Sequence, residues 1–210
     1  MTARSEVARD TNVDMFSATS ILSQHLKSLH FNFKAEDIKA LLNKTVDHIQ
    51  HTLTGARQSL HATNGPLTYL QQNPPTTHQY TIPSDIAVAT ALTKYCAFYP
   101  DAMSFLLNPQ ECREIGTLFF KENPSTEDLA RLNTLTKQVM DNLIDKLNVD
   151  ITAATNAGCD KTAIADIVND ALWAVGRKNG DGIEDALDLV HTKFNQLIAT
   201  TTAQATPAEV

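Results

Sequence analysis

Where the backbone-breaking residues fall constrains this chain more than any other feature. All eight prolines lie at the ends of helical patterns or in polar connectors. So do five of the seven glycines: Gly65, Gly158, Gly176, Gly180 and Gly182. Only Gly55 and Gly116 interrupt a run with a helical repeat. Proline inside a helix removes a hydrogen bond and clashes with the preceding turn, and glycine is the usual terminator. Segments 34–63 and 126–157 contain no proline and one glycine between them, and their apolar residues recur every three or four positions. The distribution predicts an all-α fold.

The repeat can be followed residue by residue. Residues 1–11 are polar and are expected to be disordered. A helical domain is expected over 12–199, beginning with a helix at 12–30 whose stripe is Met15, Leu22, Leu26 and Leu29. The second helix carries Ile38, Leu42, Val46, Ile49, Leu53, Ala56 and Leu60 at spacings of four or three. A long connector follows over 62–83, broken by Pro66, Pro74, Pro75 and Pro83, with room for a short helical turn near 67–72.

Ser84 is positioned to cap a third helix with Ile86, Ala89, Cys96 and Tyr99 on its inner side. Asn108-Pro109-Gln110-Glu111 is a helix start, and the stretch 123–128 opens the longest helix. Its seam is Leu129, Leu132, Leu135, Val139, Leu143, Leu147 and Ile151. Gly158 should end it and Asp160 should cap the next, which turns Ile164, Ile167, Val168, Ala171, Leu172 and Val175 inward. A final helix carries Leu187, Val190, Phe194 and Leu197 before a tail, 200–210, expected to be disordered. The predicted architecture is a single domain of about seven helices, built around 34–63 and 126–157 as antiparallel neighbours.

Composition narrows the function classes. The formal charge is −7, and no window gathers lysine and arginine into a patch that would neutralise phosphates. Nucleic acid and anionic membrane surfaces are therefore disfavoured as partners. No apolar run approaches the roughly 20 residues that span a bilayer. The first ten residues lack an apolar h-region, so the expected location is cytoplasmic, or exported without a Sec signal. Cys96, Cys112 and Cys159 are odd in number, far apart and never in a C-x-x-C pair, and read as reduced thiols.

Three segments merit a site reading. In 177–188, Asn179 and Asp181 fit a calcium loop around Gly182, but Arg177 stands where the first carboxylate belongs, which favours a capped helix-to-helix turn. His48 and His51, one turn apart beside Asp47, are candidate metal ligands. They lie off the main seam, where solvated histidines are the commoner case, and no cofactor is expected. The polar, proline-stiffened stretch 71–83 is the candidate protein-docking segment, through Asn73, Pro74, Pro75, His78 and Tyr80. Such segments lose little entropy on binding. No nucleophile elbow, H-E-x-x-H or glycine-rich phosphate loop occurs.

These observations point to a helical protein–protein interaction module rather than an enzyme, docking a protein partner through 63–83 and the long helices. The alternative is a small helical metalloprotein or enzyme using the histidines of the first two helices. The richness in threonine, asparagine and glutamine, with a tail of small polar residues, resembles bacterial effectors translocated by type IV secretion. That resemblance implies action on a host partner.

Overall fold

Four helices begin where a side chain replaces a missing intrahelical acceptor. Ser84 Oγ accepts from the Ala87 N–H at 3.2 Å and opens Asp85–Phe98. Asn108 Oδ1 accepts from the Gln110 N–H at 2.8 Å, with proline at the first helical position, and opens Pro109–Phe119. Ser125 and Asp128 form a reciprocal capping box at the head of Thr126–Asn156, with distances of 3.1 and 2.7 Å. Asp160 Oδ2 accepts from the N–H groups of Thr162 and Ala163, both at 3.0 Å, before Lys161–Arg177.

The computed structural model describes residues 52–76, 81–177 and 183–205, all within the compact unit Thr52–Val210. These residues form seven helices and no strand: α1 (Thr54–Leu60), α2 (Pro66–Gln72), α3 (Asp85–Phe98), α4 (Pro109–Phe119), α5 (Thr126–Asn156), α6 (Lys161–Arg177) and α7 (Ile183–Ala205). The protein is all-α, as its apolar period requires. The expected helix at 12–30, the disordered 1–11 and all but the end of the expected helix at 34–63 lie outside the described residues.

Two helices organise the core. The 31-residue α5 contacts α1, α3, α4, α6 and α7, and buries Leu132, Leu135, Val139, Met140, Leu143, Ile144, Leu147 and Ile151 along one seam. α3 is apolar nearly all round, burying Val88, Ala89, Leu92, Tyr95 and Cys96 against α1, α4, α5 and α6. α6 turns Ile164, Ile167, Val168, Ala171, Leu172 and Val175 inward, and Phe194 from α7 is wholly buried.

The described end of the second long helix packs against α5. Thr136 Oγ1 donates to the Thr52 carbonyl at 3.5 Å, the Gly55 N–H to Asn133 Oδ1 at 2.9 Å and, past the end of α1, Asn148 Nδ2 to the Asn64 carbonyl at 3.1 Å.

Both interior glycines sit where helices come closest. A Cβ on Gly55 would lie 3.2 Å from Asn133 Oδ1, which already accepts the Gly55 N–H at 2.9 Å. A Cβ on Gly116 would lie 3.2 Å from the Ala97 carbonyl oxygen and 3.4 Å from its Cα. At the end of α5, Gly158 takes a left-handed φ of +78°, which glycine adopts at no steric cost. The Cys159 N–H then reaches the Ala154 carbonyl and the Gly158 N–H the Thr155 carbonyl, both at 3.0 Å, completing a Schellman cap.

Two expected irregular segments are more ordered than their composition suggests. The connector 62–83 contains α2, whose Pro66, Leu67 and Leu70 are buried. The tail expected from 200 is helical as far as Ala205. There Thr200, Thr201 and Thr202 return their hydroxyls to the carbonyls of Gln196, Leu197 and Ile198 at 2.8 to 2.9 Å. Thr93, Thr117, Thr134, Thr136, Thr155 and Thr192 do the same elsewhere, so the abundant threonines satisfy themselves within helices. Residues 206–210 lie outside the described residues.

Candidate functional site

The docking segment read from the sequence is partly tied down. Asn73 caps α2, its backbone N–H and its Nδ2 both donating to the Tyr69 carbonyl, at 2.9 and 3.2 Å. Pro74 is exposed and Pro75 half-buried. Thr76 closes the described stretch by donating its N–H and its hydroxyl to the two carboxylate oxygens of Asp166 on α6, each at 2.8 Å. Residues 73–76 are thus held to α6 rather than projecting freely. His78 and Tyr80, and the candidate metal ligands His48 and His51, lie outside the described residues. Among the described residues, no group of three His, Cys, Asp or Glu side chains is arranged to hold a metal ion.

Large aromatic rings gather at another surface. α3 and α4 end side by side, and their C-termini carry Phe98, Tyr99, Phe119 and Phe120. Phe98 is 38 % exposed, Tyr99 39 % and Phe120 44 %, so these large rings face solvent together. Phe98 and Phe120 have centroids 5.3 Å apart, and Phe119 and Phe120 meet edge to face at 5.1 Å. The close approach of Gly116 to Ala97 sets the spacing of the two helices beneath the rings.

Three ion pairs involve these segments. Arg113 meets Asp101 at 3.1 Å, Lys121 meets Asp128 at 2.7 Å, and Arg131 grips Glu114 with two bonds of 2.8 Å. The Arg131 guanidinium hydrogen-bonded to Glu114 holds that carboxyl below its usual range. Likewise the Lys121 ammonium, with the Ser125 N–H, holds Asp128 low. The result is a small exposed apolar platform with ion pairs on the same segments.

Sequence reading turned Tyr99 inward with Cys96, and passed over the other three rings. The structure corrects this: α3 stops at Phe98, and Tyr99 leaves the helix with φ −131° and ψ 56°, so the helical repeat no longer carries it into the core. The available signal was the doubling of aromatics at helix ends, Phe98-Tyr99 and Phe119-Phe120. Adjacent helical positions differ by about 100° in direction, so two bulky neighbours at a helix end are harder to bury together than residues three or four apart.

All three cysteines are free and buried. Cys159 belongs to the cap of α5, and Cys112 Sγ donates to the Leu107 carbonyl at 3.8 Å. The neighbouring Cys112 thiol, and then burial, push the Cys96 thiol up. His191 Nδ1 lies 2.7 Å from Asp150 and His61 Nε2 3.3 Å from Asp85, both exposed pairs that join neighbouring helices. Among the described residues, no helix is long and apolar enough to cross a membrane. In comparisons with protein families, curated proteins and solved structures, nothing matches the chain.

Proposed function

We propose that this chain is a helical protein–protein interaction module whose docking surface is the aromatic platform at the ends of α3 and α4. The observation that supports it is the joint exposure of Phe98, Tyr99 and Phe120, with Phe98 and Phe120 in ring contact. Exposing large rings in water forgoes burial worth about 1.5–3 kcal/mol each, and aromatic clusters of this kind are what binding hot spots are made of. The partner that suits it presents an apolar face, such as one side of an amphipathic helix, because the exposed rings offer apolar area and Arg113, Lys121 and Arg131 are each already paired with a carboxylate.

The test is photo-crosslinking from Tyr99 in the full chain, compared with the same experiment in Phe120→Asp. The half-exposed ring can be replaced without opening the core, so the helical circular dichroism should persist. Partner capture is expected to fall at least tenfold, about 1.4 kcal/mol. Undiminished capture would refute the platform. Capture that survives Phe120→Asp but fails when 73–76 is replaced by Gly/Ser would return the docking role to Asn73, Pro74 and Pro75. Delivery into a host cell, the setting the composition resembles, is a separate proposal that a translocation reporter fused to the full chain tests.

A further inference from the structure

The aromatic platform has an electrostatic side. Both helices finish at it, α3 at Phe98 and α4 at Phe119. The last carbonyls of a helix have no partner within it, and the aligned peptides place partial negative charge at that end. A lysine, arginine or histidine in the last turn often compensates. Neither last turn has one here: α3 closes on Tyr95-Cys96-Ala97-Phe98 and α4 on Gly116-Thr117-Leu118-Phe119. The N–H groups of Tyr99, Phe120 and Lys121 take up the Tyr95, Gly116 and Leu118 carbonyls, which leaves the dipoles themselves uncompensated.

The cations nearest the rings in sequence are already engaged. Lys121 follows Phe120 directly, but its ammonium lies 2.7 Å from Asp128, and Arg113 is held by Asp101. Lys94, one turn before Phe98 on α3, has an interaction of its own. Glu122, two residues beyond Phe120, is exposed and makes no ion pair among the described residues. Phe98 and Phe120, inclined at 57° with centroids 5.3 Å apart, meet as a corner rather than a stack. The π faces of such rings draw cations to within about 6 Å of the centroid. The formal charge of −7 on the whole chain acts in the same sense.

We propose that the partner's apolar face carries a lysine or arginine whose charged head is received by the rings of Phe98, Tyr99 and Phe120 at the ends of α3 and α4, with Glu122 as the nearby carboxylate. The occupant is thus a basic amphipathic helix, an assignment that rests on the docking reading above. The aliphatic stem of either side chain lies along ring surface while its head meets π density, helix dipole and carboxylate. An acidic helix meets the same groups as repulsion, so the site discriminates by charge as well as by apolar area.

The experiment titrates the full chain with helical peptides of about 18 residues, long enough to hold a helix in water. All share one leucine stripe and differ only at its centre, which is lysine, arginine, norleucine or glutamate. Binding is read from the amide resonances of Tyr99 and Gly116. The lysine and arginine peptides should bind at least about fivefold more tightly than the norleucine peptide, and the glutamate peptide more weakly. That preference should shrink as salt rises from about 0.05 to about 0.5 M, and again in Glu122→Gln, which alters an exposed carboxylate. Phe120→Leu keeps apolar bulk without a π face and should lower the lysine-to-norleucine ratio, with circular dichroism confirming the helices. Equal affinity for the lysine and norleucine peptides overturns the cation and leaves the docking surface standing. Failure of every peptide to move these resonances overturns both. The peptide series on the unaltered chain decides alone if a variant fails to fold.

Discussion

Replacing Gly116 with alanine sets helix propensity against packing at one atom. In an open helix the change gains about 1 kcal/mol, because glycine pays the larger backbone entropy. Here the new methyl would sit 3.2 Å from the Ala97 carbonyl oxygen and 3.4 Å from its Cα. These are backbone atoms of α3, fixed by that helix's own hydrogen bonds, so relief requires moving α3 as a body by a few tenths of an ångström. α3 is buried against α1, α5 and α6 as well, which transmits the shift into the rest of the core. Overpacking of this kind costs about 1–3 kcal/mol. The balance is a net loss of about 0–2 kcal/mol, or a fall of up to about 8 °C in melting temperature for a unit of this size. Valine at the same position, with two more methyls, should fall further. Thermal unfolding followed by circular dichroism at 222 nm, a standard helical wavelength, is the assay. A rise of about 2–4 °C for Gly116→Ala, the full propensity gain, would refute the close approach.

Three further outcomes follow from the same packing and charges. Phe194→Ala, removing a fully buried ring, should cost about 3–5 kcal/mol in urea unfolding, whereas Leu189→Ala, 57 % exposed, should stay within about 0.5 kcal/mol. The Arg131 guanidinium holds the Glu114 pKa below the usual carboxyl value of about 4.3, so its contribution to stability is present above that pH and is lost as pH falls through the lower folded value. Glu114→Gln should therefore flatten part of the acid side of the melting temperature–pH curve, and an unchanged curve would show that the Arg131 pair is not felt. Asp166→Ala removes both acceptors of Thr76, so limited proteolysis within 73–76 should accelerate while the circular dichroism stays helical.

Much of the fold was legible because local rules act along one helix at a time. The caps at Ser84, Asn108 and Asp160 were readable as short-range hydrogen bonds, and the start read at 123–128 resolves to a cap at Ser125. The α5 and α6 seams were readable because a stripe at a period of 3.6 has one way to be buried. Where the local signals were weaker, burial decided the outcome. The short helical turn allowed for near 67–72 forms as Pro66–Gln72, because Leu67 and Leu70 find a core to enter. The candidate site was less legible still. Asn73, Pro74 and Pro75 were marked by stiffness and polarity, but the bond from Thr76 to Asp166 spans 90 residues of sequence and leaves no local trace.

The sequence by itself determined that this chain is helical, where most helices start and stop, and which stripe of each is buried. Those properties depend on backbone hydrogen bonds and side-chain periodicity within a few residues. Only the tertiary structure decided which helices are neighbours and in what direction they run. It seated Gly116 against Ala97 and left Phe98 and Phe120 together in solvent. Each of these is a contact between separate helices, and a helical period specifies the face a residue lies on without specifying what that face will meet.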